Sequence, residues 1–227
     1  MRRFLVLAVT IWLAAIPAQG ASLGVVLAVD VSASVTPDSY ILQHDGIARA
    51  FEDPRLLQAI AAAPGGIEVL VLEWSDPDKI KVTVDWTAVI DRRSAGAFAA
   101  AVRATGRSSS GLTAIGPALA AAAAQFDRLP APAARRVIDI SGDGMADFGP
   151  PPPAVRDRIA AAKITINGLA ILTEEPWLED YYRDNVIGGP AAFVLAARDF
   201  HSFADAMLRK LMQEVAGAGA PALAQTQ

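Results

Sequence analysis

Short, fully apolar segments alternate along this chain with amphipathic helical patterns, and this alternation restricts the possible folds more than any other feature. Leu23–Val29 is a continuous apolar run, which is typical of a strand buried on both faces of a parallel sheet. Further strands of this kind are predicted at Ile67–Trp74, Arg136–Ile140, Ile164–Leu172 and Ala192–Ala196. Lys79–Trp86 alternates with period two, which indicates a half-exposed, antiparallel edge strand.

Helical patterns fill the intervals between these strands. Thr36-Pro37-Asp38 is a helix start, with Thr36 as N-cap, proline at the first helical position and an acidic residue near the positive end of the dipole. Other helices are predicted at about Pro54–Ala62, Asp91–Ala104, Thr113–Phe126, Val155–Ala162, Trp177–Tyr182 and Phe200–Val215. The sequence therefore predicts one doubly wound, Rossmann-like α/β domain with a mostly parallel sheet, one antiparallel edge strand and helices on both faces.

The first twenty residues are typical of a targeting signal. Met1-Arg2-Arg3 precedes an apolar run from Phe4 to Ile16, and small residues follow up to Ala21, where a signal peptidase cuts. The run is shorter than the roughly 20 residues that span a bilayer, so we expect no stable membrane insertion after cleavage. We predict a Sec-type signal peptide over residues 1–20, a folded domain over 21–215 and a disordered tail over 216–227.

Composition narrows the function classes. The chain contains no cysteine, which excludes disulfides, thiolate metal sites and cysteine nucleophiles. Its net charge of −4 is spread along the sequence without a Lys/Arg run, so nucleic acid is not an expected partner. Frequent alanine and the preference for arginine over lysine are typical of GC-rich bacteria. Together with the predicted signal peptide, this composition predicts that the protein lies in the periplasm or the medium.

Ligands of such a sheet bind at the carboxyl ends of its strands. Three loops that follow a predicted strand or precede a predicted helix are expected at this edge. The first is Asp30-Val31-Ser32-Ala33-Ser34, in which Asp30, Ser32 and Ser34 alternate and can direct three oxygens to one point. The second is Gly111-Leu112-Thr113-Ala114-Ile115-Gly116, and the third is Ser141-Gly142-Asp143-Gly144. Asp30, Ser32, Ser34, Thr113 and Asp143 thus form an all-oxygen set, which favours Mg²⁺ or Mn²⁺ over Ca²⁺.

These three motifs, in this order, resemble the metal-ion-dependent adhesion site (MIDAS) of von Willebrand factor A-type domains. The segment from Tyr181 to Pro190 further resembles an uncharacterised family of exported bacterial proteins with this domain. The resemblance implies that Ser32, Ser34 and Thr113 bind the cation directly, while Asp30 and Asp143 act mainly through waters. It also implies that a partner protein completes the coordination with an Asp or Glu carboxylate, so that the chain binds and does not catalyse.

The third loop departs from the superfamily pattern. The superfamily commonly has Thr or Ser before the loop carboxylate, whereas this chain has Gly142. The departure leaves Asp147 open as an alternative to Asp143.

Two other functions stay open from the sequence. Gly142-Asp143-Gly144-Met145-Ala146-Asp147 fits the magnesium motif of haloacid-dehalogenase-like phosphatases, with Asp30 as nucleophile. Such enzymes usually carry a second Asp where this chain has Ser32, and a Lys that is missing between Lys81 and Lys163. The third possibility is a structural scaffold with a vestigial site, because Asp and Ser after a strand often only form turns or caps.

Several single residues have simpler interpretations. His44 lies on the apolar stripe of its helix and is expected to pack there, and His201 is expected at the surface. Trp177, Tyr181 and Tyr182 stand at helical spacing, which favours a core or lid role over a binding surface.

Overall fold

A six-stranded sheet in the order β3-β2-β1-β4-β5-β6 organises the computed structural model, which describes residues 20–218. All neighbouring strands are parallel except β2 and β3, which pair antiparallel at one edge. The predicted doubly wound α/β domain with one antiparallel edge strand is confirmed. The strands are β1 (Ala21–Asp30), β2 (Ile67–Trp74), β3 (Ile80–Val89), β4 (Ala133–Gly142), β5 (Thr165–Ile171) and β6 (Val194–Ala197).

Seven α-helices of the described residues pack on the two faces of this sheet: α1 (Pro37–Glu52), α2 (Pro54–Ala62), α3 (Arg92–Ala104), α4 (Ile115–Gln125), α5 (Pro152–Ala161), α6 (Leu178–Asn185) and α7 (Phe203–Ala218). Side-chain caps fix several of their starts. Thr36 accepts from the backbone N–H of Ser39 at the start of α1, as predicted, and Asp53 and Asp91 cap α2 and α3.

Two hydrophobic cores result, one on each face of the sheet. Helices α1, α2, α3 and α7 pack with one set of strand side chains, which includes Val25, Leu27 and Val137. Helices α4, α5 and α6 pack with the alternate set, which includes Val26, Ile138 and Ile140. The alternation arises because successive strand side chains point to opposite faces, so every central strand must be apolar throughout.

The chain reverses its direction across the sheet at β1. From β1 it proceeds to β2 and β3 on one side, and it then returns to place β4 on the other side of β1. Ligands of open α/β sheets bind at such a switch point, beyond the carboxyl ends of the strands. The loops after β1 and β4 are therefore the first places to search for a site.

The structure refines some predicted boundaries. The edge strand β3 continues three residues beyond Trp86, because its backbone stays paired with β2 up to Ile67 and Val89. Phe200–Ser202 forms a 3₁₀ turn capped by Asp199, so α7 begins at Phe203, and it continues to Ala218.

Residues 216–218 of the predicted tail are helical and form the end of α7. The rest of the predicted tail and the predicted signal peptide, apart from Gly20, lie outside the described residues. Within residues 20–218, no helix has the length and apolar character needed to cross a bilayer.

Candidate metal centre

The carboxyl ends of β1 and β4 lie side by side at the switch point. Val29 pairs with Ser141 in the parallel register, so Asp30 and Asp143 leave the sheet from adjacent strands. Asp30 has no solvent-exposed surface, and Asp143 is 8% exposed. The topology thus brings together two carboxylates that stand more than a hundred residues apart in sequence.

A chain of short contacts joins the first loop to the third. Asp30 Oδ1 accepts a hydrogen bond from the backbone N–H of Ser32 at 2.7 Å. The hydroxyl oxygens of Ser32 and Ser34 are 3.1 Å apart, and Ser34 donates to Asp143 Oδ1 at 2.7 Å. Four of the five candidate ligands therefore lie in one connected cluster, with Ser34 exposed at its mouth.

Thr113 lies next to the third loop. A Cβ atom on Gly144 would come within 3.9 Å of the Thr113 hydroxyl, so this hydroxyl lies beside the third loop. Asp147 accepts from the backbone N–H of Thr113 at 2.8 Å, and Thr113 O accepts from the N–H of Asp147 at 3.1 Å. Asp147 thus binds the backbone of the second loop, whereas Asp143 accepts from Ser34 of the first loop, which favours Asp143 over Asp147 as the candidate metal-site carboxylate.

Burial controls the charge of the two carboxylates. Burial raises the pKa of Asp30 to about 7, and the charge of Asp143 adds to this effect against the hydrogen bonds from Ser32. Burial likewise raises the pKa of Asp143, with Glu174 adding to the effect and Ser34 opposing it. Two buried carboxylates that resist ionisation side by side favour a cation between them, because a cation compensates both charges.

Residues outside the three sequence motifs hold the first loop in place. The buried Gln43 of α1 donates to the backbone oxygen of Asp30 at 3.1 Å. Arg107 donates to the backbone oxygens of Val31 and Ser32 at 2.9 and 2.8 Å, and Ala33 N–H donates to Gly111 O at 2.8 Å. Gln43 was visible only as a polar residue on the buried stripe of α1, and Arg107 had no sequence signal.

The second loop is held by two acidic side chains of the β2 region. Glu73 Oε2 accepts from the backbone N–H of Ser108 at 2.7 Å, and Asp76 Oδ1 accepts from that of Leu112 at 3.0 Å. Asp76 also occupies the space at Gly111, where a Cβ atom would be 2.0 Å from Asp76 Oδ2. A side chain at position 111 would therefore displace the Asp76 carboxylate that holds Leu112, the residue before Thr113.

Gly142 lies at the base of the cluster, where no side chain fits. A Cβ atom on Gly142 would be 2.6 Å from the hydroxyl oxygen of Tyr182 and 2.8 Å from Asp30 Oδ2. Tyr182 belongs to α6 and is fully buried. The glycine that departs from the superfamily pattern is thus explained by a tyrosine hydroxyl that approaches the site from α6.

The donor set fits a hard divalent cation. It combines two carboxylates with three hydroxyls, and Asp30 Oδ2 is buried without a protein hydrogen-bond partner among the described residues. No group of three or more His, Asp or Glu side chains within residues 20–218 converges to hold a metal. A cation here would therefore depend on Ser32, Ser34 and Thr113 as much as on the carboxylates.

The sequence pattern of the family described as "Protein of unknown function (DUF1194)" matches residues 21–219, almost the whole described chain. The chain belongs to the DUF1194 family. The match covers every strand and helix of the fold and all five candidate ligands. No curated protein matches the chain significantly.

The fold of the chain is similar to those of several solved structures. Proximal thread matrix protein 1 from the mussel byssus, in a structure with a zinc-occupied MIDAS motif, aligns with a TM-score of 0.60 at 13% identity over 86% of this chain and 48% of that chain. The pilus adhesin SpaC from Lactobacillus rhamnosus GG aligns with a TM-score of 0.61 at 13% identity over 86% and 30%, respectively. A von Willebrand factor type A protein from Catenulispora acidiphila aligns with a TM-score of 0.57 at 20% identity over 86% and 42%.

These similarities confirm the von Willebrand factor A-like fold that the motifs predicted. The chain spans less than half the length of each of the three proteins. At such low identity the likeness concerns the fold, and the function must be argued from the site itself.

Proposed function

We propose that this chain is an exported protein-binding module that depends on a divalent cation. In this proposal Ser32, Ser34 and Thr113 hold Mg²⁺ or Mn²⁺ directly, and Asp30 and Asp143 act mainly through waters. An Asp or Glu carboxylate of a partner protein then completes the coordination. The cation supplies the positive charge that attracts the partner's carboxylate, and no chemical turnover is required.

The observation that carries this proposal is the cluster at the switch point. Asp30, Ser32, Ser34 and Asp143 form one connected cluster, the Thr113 hydroxyl lies beside the third loop, and burial raises the pKa values of both carboxylates. Ionised carboxylates are costly to bury unless an opposite charge compensates them. Among the described residues, neither carboxylate has a Lys or Arg within ion-pair distance, so an external cation is the natural compensation.

Exposed apolar side chains around the cluster support a protein partner. Leu112 precedes Thr113, Met145 follows Asp143 by two residues, and Phe148 follows Asp147 directly; all three are exposed. Trp177 is exposed directly before α6, the helix whose Tyr181 hydroxyl accepts from the backbone N–H of Ala146. Exposed apolar groups next to a polar site are typical of surfaces that bind proteins.

The similar structures agree with this class of function. One of them is a pilus adhesin, and another has a zinc-occupied MIDAS motif. Export rests on the sequence of residues 1–20, with the periplasm or the medium as the proposed location and no stable membrane insertion after cleavage.

The positions of Asp30 and Asp147 argue against the phosphatase-like alternative. It needs Asp30 as a nucleophile that reaches a phosphate, whereas Asp30 has no exposed surface. It also needs Asp147 at the metal, whereas the Asp147 carboxylate accepts from the backbone of Thr113. A scaffold with a vestigial site stays as the second candidate, because caps and turns alone could explain the serines.

Titration of the purified protein with Mg²⁺ and Mn²⁺ in a calorimeter tests the metal site. We expect binding that falls at least about tenfold in Ser32→Ala and in Thr113→Ala, because each loses a direct ligand. Ser110→Ala is the matched control, since Ser110 is an exposed serine of the loop between α3 and α4. The absence of binding in the wild-type protein would favour the vestigial scaffold.

A capture experiment tests the partner. The immobilised protein is incubated with the exported fraction of its source bacterium, in Mg²⁺ or in excess EDTA, before and after amidation of the carboxylates in that fraction. We expect a captured protein that is lost in EDTA, after amidation and with the Ser32→Ala variant. Capture that persists in EDTA would contradict a cation-dependent mode of binding.

A further inference from the structure

Tyr182 is the residue whose position the site described so far does not explain. Its side chain is fully buried between α6 and the sheet, and its hydroxyl has no protein hydrogen-bond partner among the described residues. A buried hydroxyl without a partner costs free energy that a phenylalanine at the same place would avoid. Such a group calls for a reason other than packing.

A second buried oxygen without a partner lies next to this hydroxyl. Asp30 Oδ1 accepts from the N–H of Ser32, but Asp30 Oδ2 has no protein partner among residues 20–218. Both atoms are close to the position that a Cβ atom on Gly142 would occupy. The Tyr182 hydroxyl oxygen is 2.6 Å from this position and Asp30 Oδ2 is 2.8 Å from it. As placed, the two atoms do not form a hydrogen bond with each other. One is a donor and the other an acceptor, so a small shift of either side chain would satisfy both.

We infer that the Tyr182 hydroxyl is a positioning group of the metal centre, which donates a hydrogen bond to Asp30 Oδ2 when a cation is bound and so orients that carboxylate for the cation. The inference rests on the proposed metal site and adds a residue from a fourth element, α6, to three loops. Gly142 follows from the same arrangement, because any side chain there would displace the hydroxyl from the carboxylate.

Charge interactions support the proximity. Burial raises the pKa of Tyr182 well above its ordinary value, and the charges of Asp30 and Asp143 add to that shift. Tyr182 therefore keeps its proton at neutral pH and is a permanent donor. A hydrogen bond to a charged acceptor is stronger than one between neutral groups, so a carboxylate that faces a cation is a suitable acceptor for this donor.

The neighbouring tyrosine provides a matched control. Tyr181 is the preceding residue of α6, but its hydroxyl accepts from the backbone N–H of Ala146 and does not face Gly142. Replacing either tyrosine by phenylalanine removes one oxygen and keeps the ring. Only Tyr182→Phe removes the donor at Asp30.

The first experiment measures metal affinity. Calorimetric titration with Mg²⁺ is expected to show about tenfold weaker binding for Tyr182→Phe and at most a twofold change for Tyr181→Phe. Melting temperatures in EDTA are compared alongside, and we expect them to change little in Tyr182→Phe because the buried ring is kept. Equal affinity of Tyr182→Phe and wild type, or an equal loss in Tyr181→Phe, would overturn the inference.

The second experiment observes the hydroxyl directly. The protein is labelled with ¹³C at the ζ carbon of tyrosine, and the three resonances are assigned through the phenylalanine variants. We expect Mg²⁺ to shift the Tyr182 resonance of the wild type but not that of Asp30→Asn, and to leave that of Tyr40 unchanged. A Tyr182 resonance that does not respond to Mg²⁺ in a wild type that binds it would refute the hydrogen bond.

The two experiments separate this inference from the proposed function. If the wild type binds Mg²⁺ and Tyr182→Phe binds it equally well, the metal site stands and the role of Tyr182 is wrong. If the wild type binds no Mg²⁺ or Mn²⁺, the proposed function fails, and the role of Tyr182 toward a cation fails with it.

Discussion

Glu73 shows how much one buried side chain can do in this molecule. It has no exposed surface, and it accepts hydrogen bonds from the hydroxyl of Tyr40 at 2.9 Å and from the backbone N–H of Ser108 at 2.7 Å. His44 Nε2 lies 3.0 Å from the same carboxylate. Burial opposes the charge of Glu73, but the hydrogen bonds from His44 and Ser108 outweigh it, so the net effect lowers the pKa. The residue connects α1 and the loop before Thr113 to the sheet.

We expect Glu73→Gln to lower the free energy of unfolding by about 1–3 kcal/mol, because an amide N–H₂ group then faces a buried donor. Urea denaturation at neutral pH measures this loss. Glu68→Gln is the control in the same strand: burial raises the pKa of Glu68, so a neutral amide is tolerated there and stability should hold or rise. A Glu73→Gln variant as stable as wild type would show that the network contributes little.

The predicted positions of the two histidines are confirmed, whereas the aromatic residues Trp177 and Tyr182 differ in their exposure. His44 is buried, and its ring lies 4.0 Å from that of Tyr40, as expected for a packed histidine, while His201 is exposed. Tyr182 is in the core, whereas Trp177 is exposed. The helical spacing of Trp177 and Tyr182 did not distinguish them, because α6 begins only after Trp177.

At the scale of elements, a buried charge cluster holds α7 against the sheet. Lys210 Nζ of α7 lies 2.7 Å from Asp139 Oδ1 of β4. The same nitrogen lies 2.8 Å from Oε1 of Glu214, which is one turn further along α7. Asn167 of β5 donates to Glu214 at 2.8 Å. Lys210, Asp139 and Glu214 all have side chains without exposed surface, so the single ammonium compensates two carboxylates away from water.

Lys210→Met should therefore destabilise the protein by roughly 3–5 kcal/mol, since it leaves two carboxylates buried without a cation. Thermal and urea denaturation report the loss. A matched variant, Asp139→Asn/Lys210→Met/Glu214→Gln, removes every charge and keeps an acceptor for Asn167, and we expect it to recover most of the stability. If the triple variant is as unstable as the single one, packing and not charge explains the effect.

At the scale of the whole molecule, the same cluster makes stability depend on pH. Burial raises the pKa of Asp139 from its ordinary 3.8 to about 7; Lys210 opposes this effect and Glu214 adds to it. Between these two pH values the folded chain retains a proton that the unfolded chain has released. The contribution of this group to stability is therefore greatest at acid pH and decreases as pH rises toward 7.

Asp139→Asn removes this titration and carries no charge at any pH. We expect the difference in unfolding free energy between variant and wild type, measured in EDTA, to shift in favour of the variant by at least about 1 kcal/mol between pH 4 and pH 8. Taking the difference cancels the contribution of Asp30, whose raised pKa acts in the same direction. A difference that is flat across this range would contradict a raised pKa for Asp139.

The sequence by itself determined the fold class, the strand and helix segments and the edge strand. Central strands such as β1 must be apolar on both faces, and this requirement is local and visible in Leu23–Val29. The candidate ligands could also be predicted, because Asp30, Ser32, Ser34, Thr113 and Asp143 all lie where strands end or a helix begins. Their roles as metal ligands stay a prediction.

Only the tertiary structure decided how these residues are supported. The proposal of Asp143 over Asp147 as the metal-site carboxylate rests on its hydrogen bond with Ser34, a contact across 109 residues of sequence. The lack of space for a side chain at Gly142 depends on Tyr182, which belongs to α6. The burial of Lys210 likewise depends on Asp139, which belongs to β4. No local pattern records such contacts, because propensity and periodicity describe a residue's own element, whereas burial and pairing are set by the elements that pack against it.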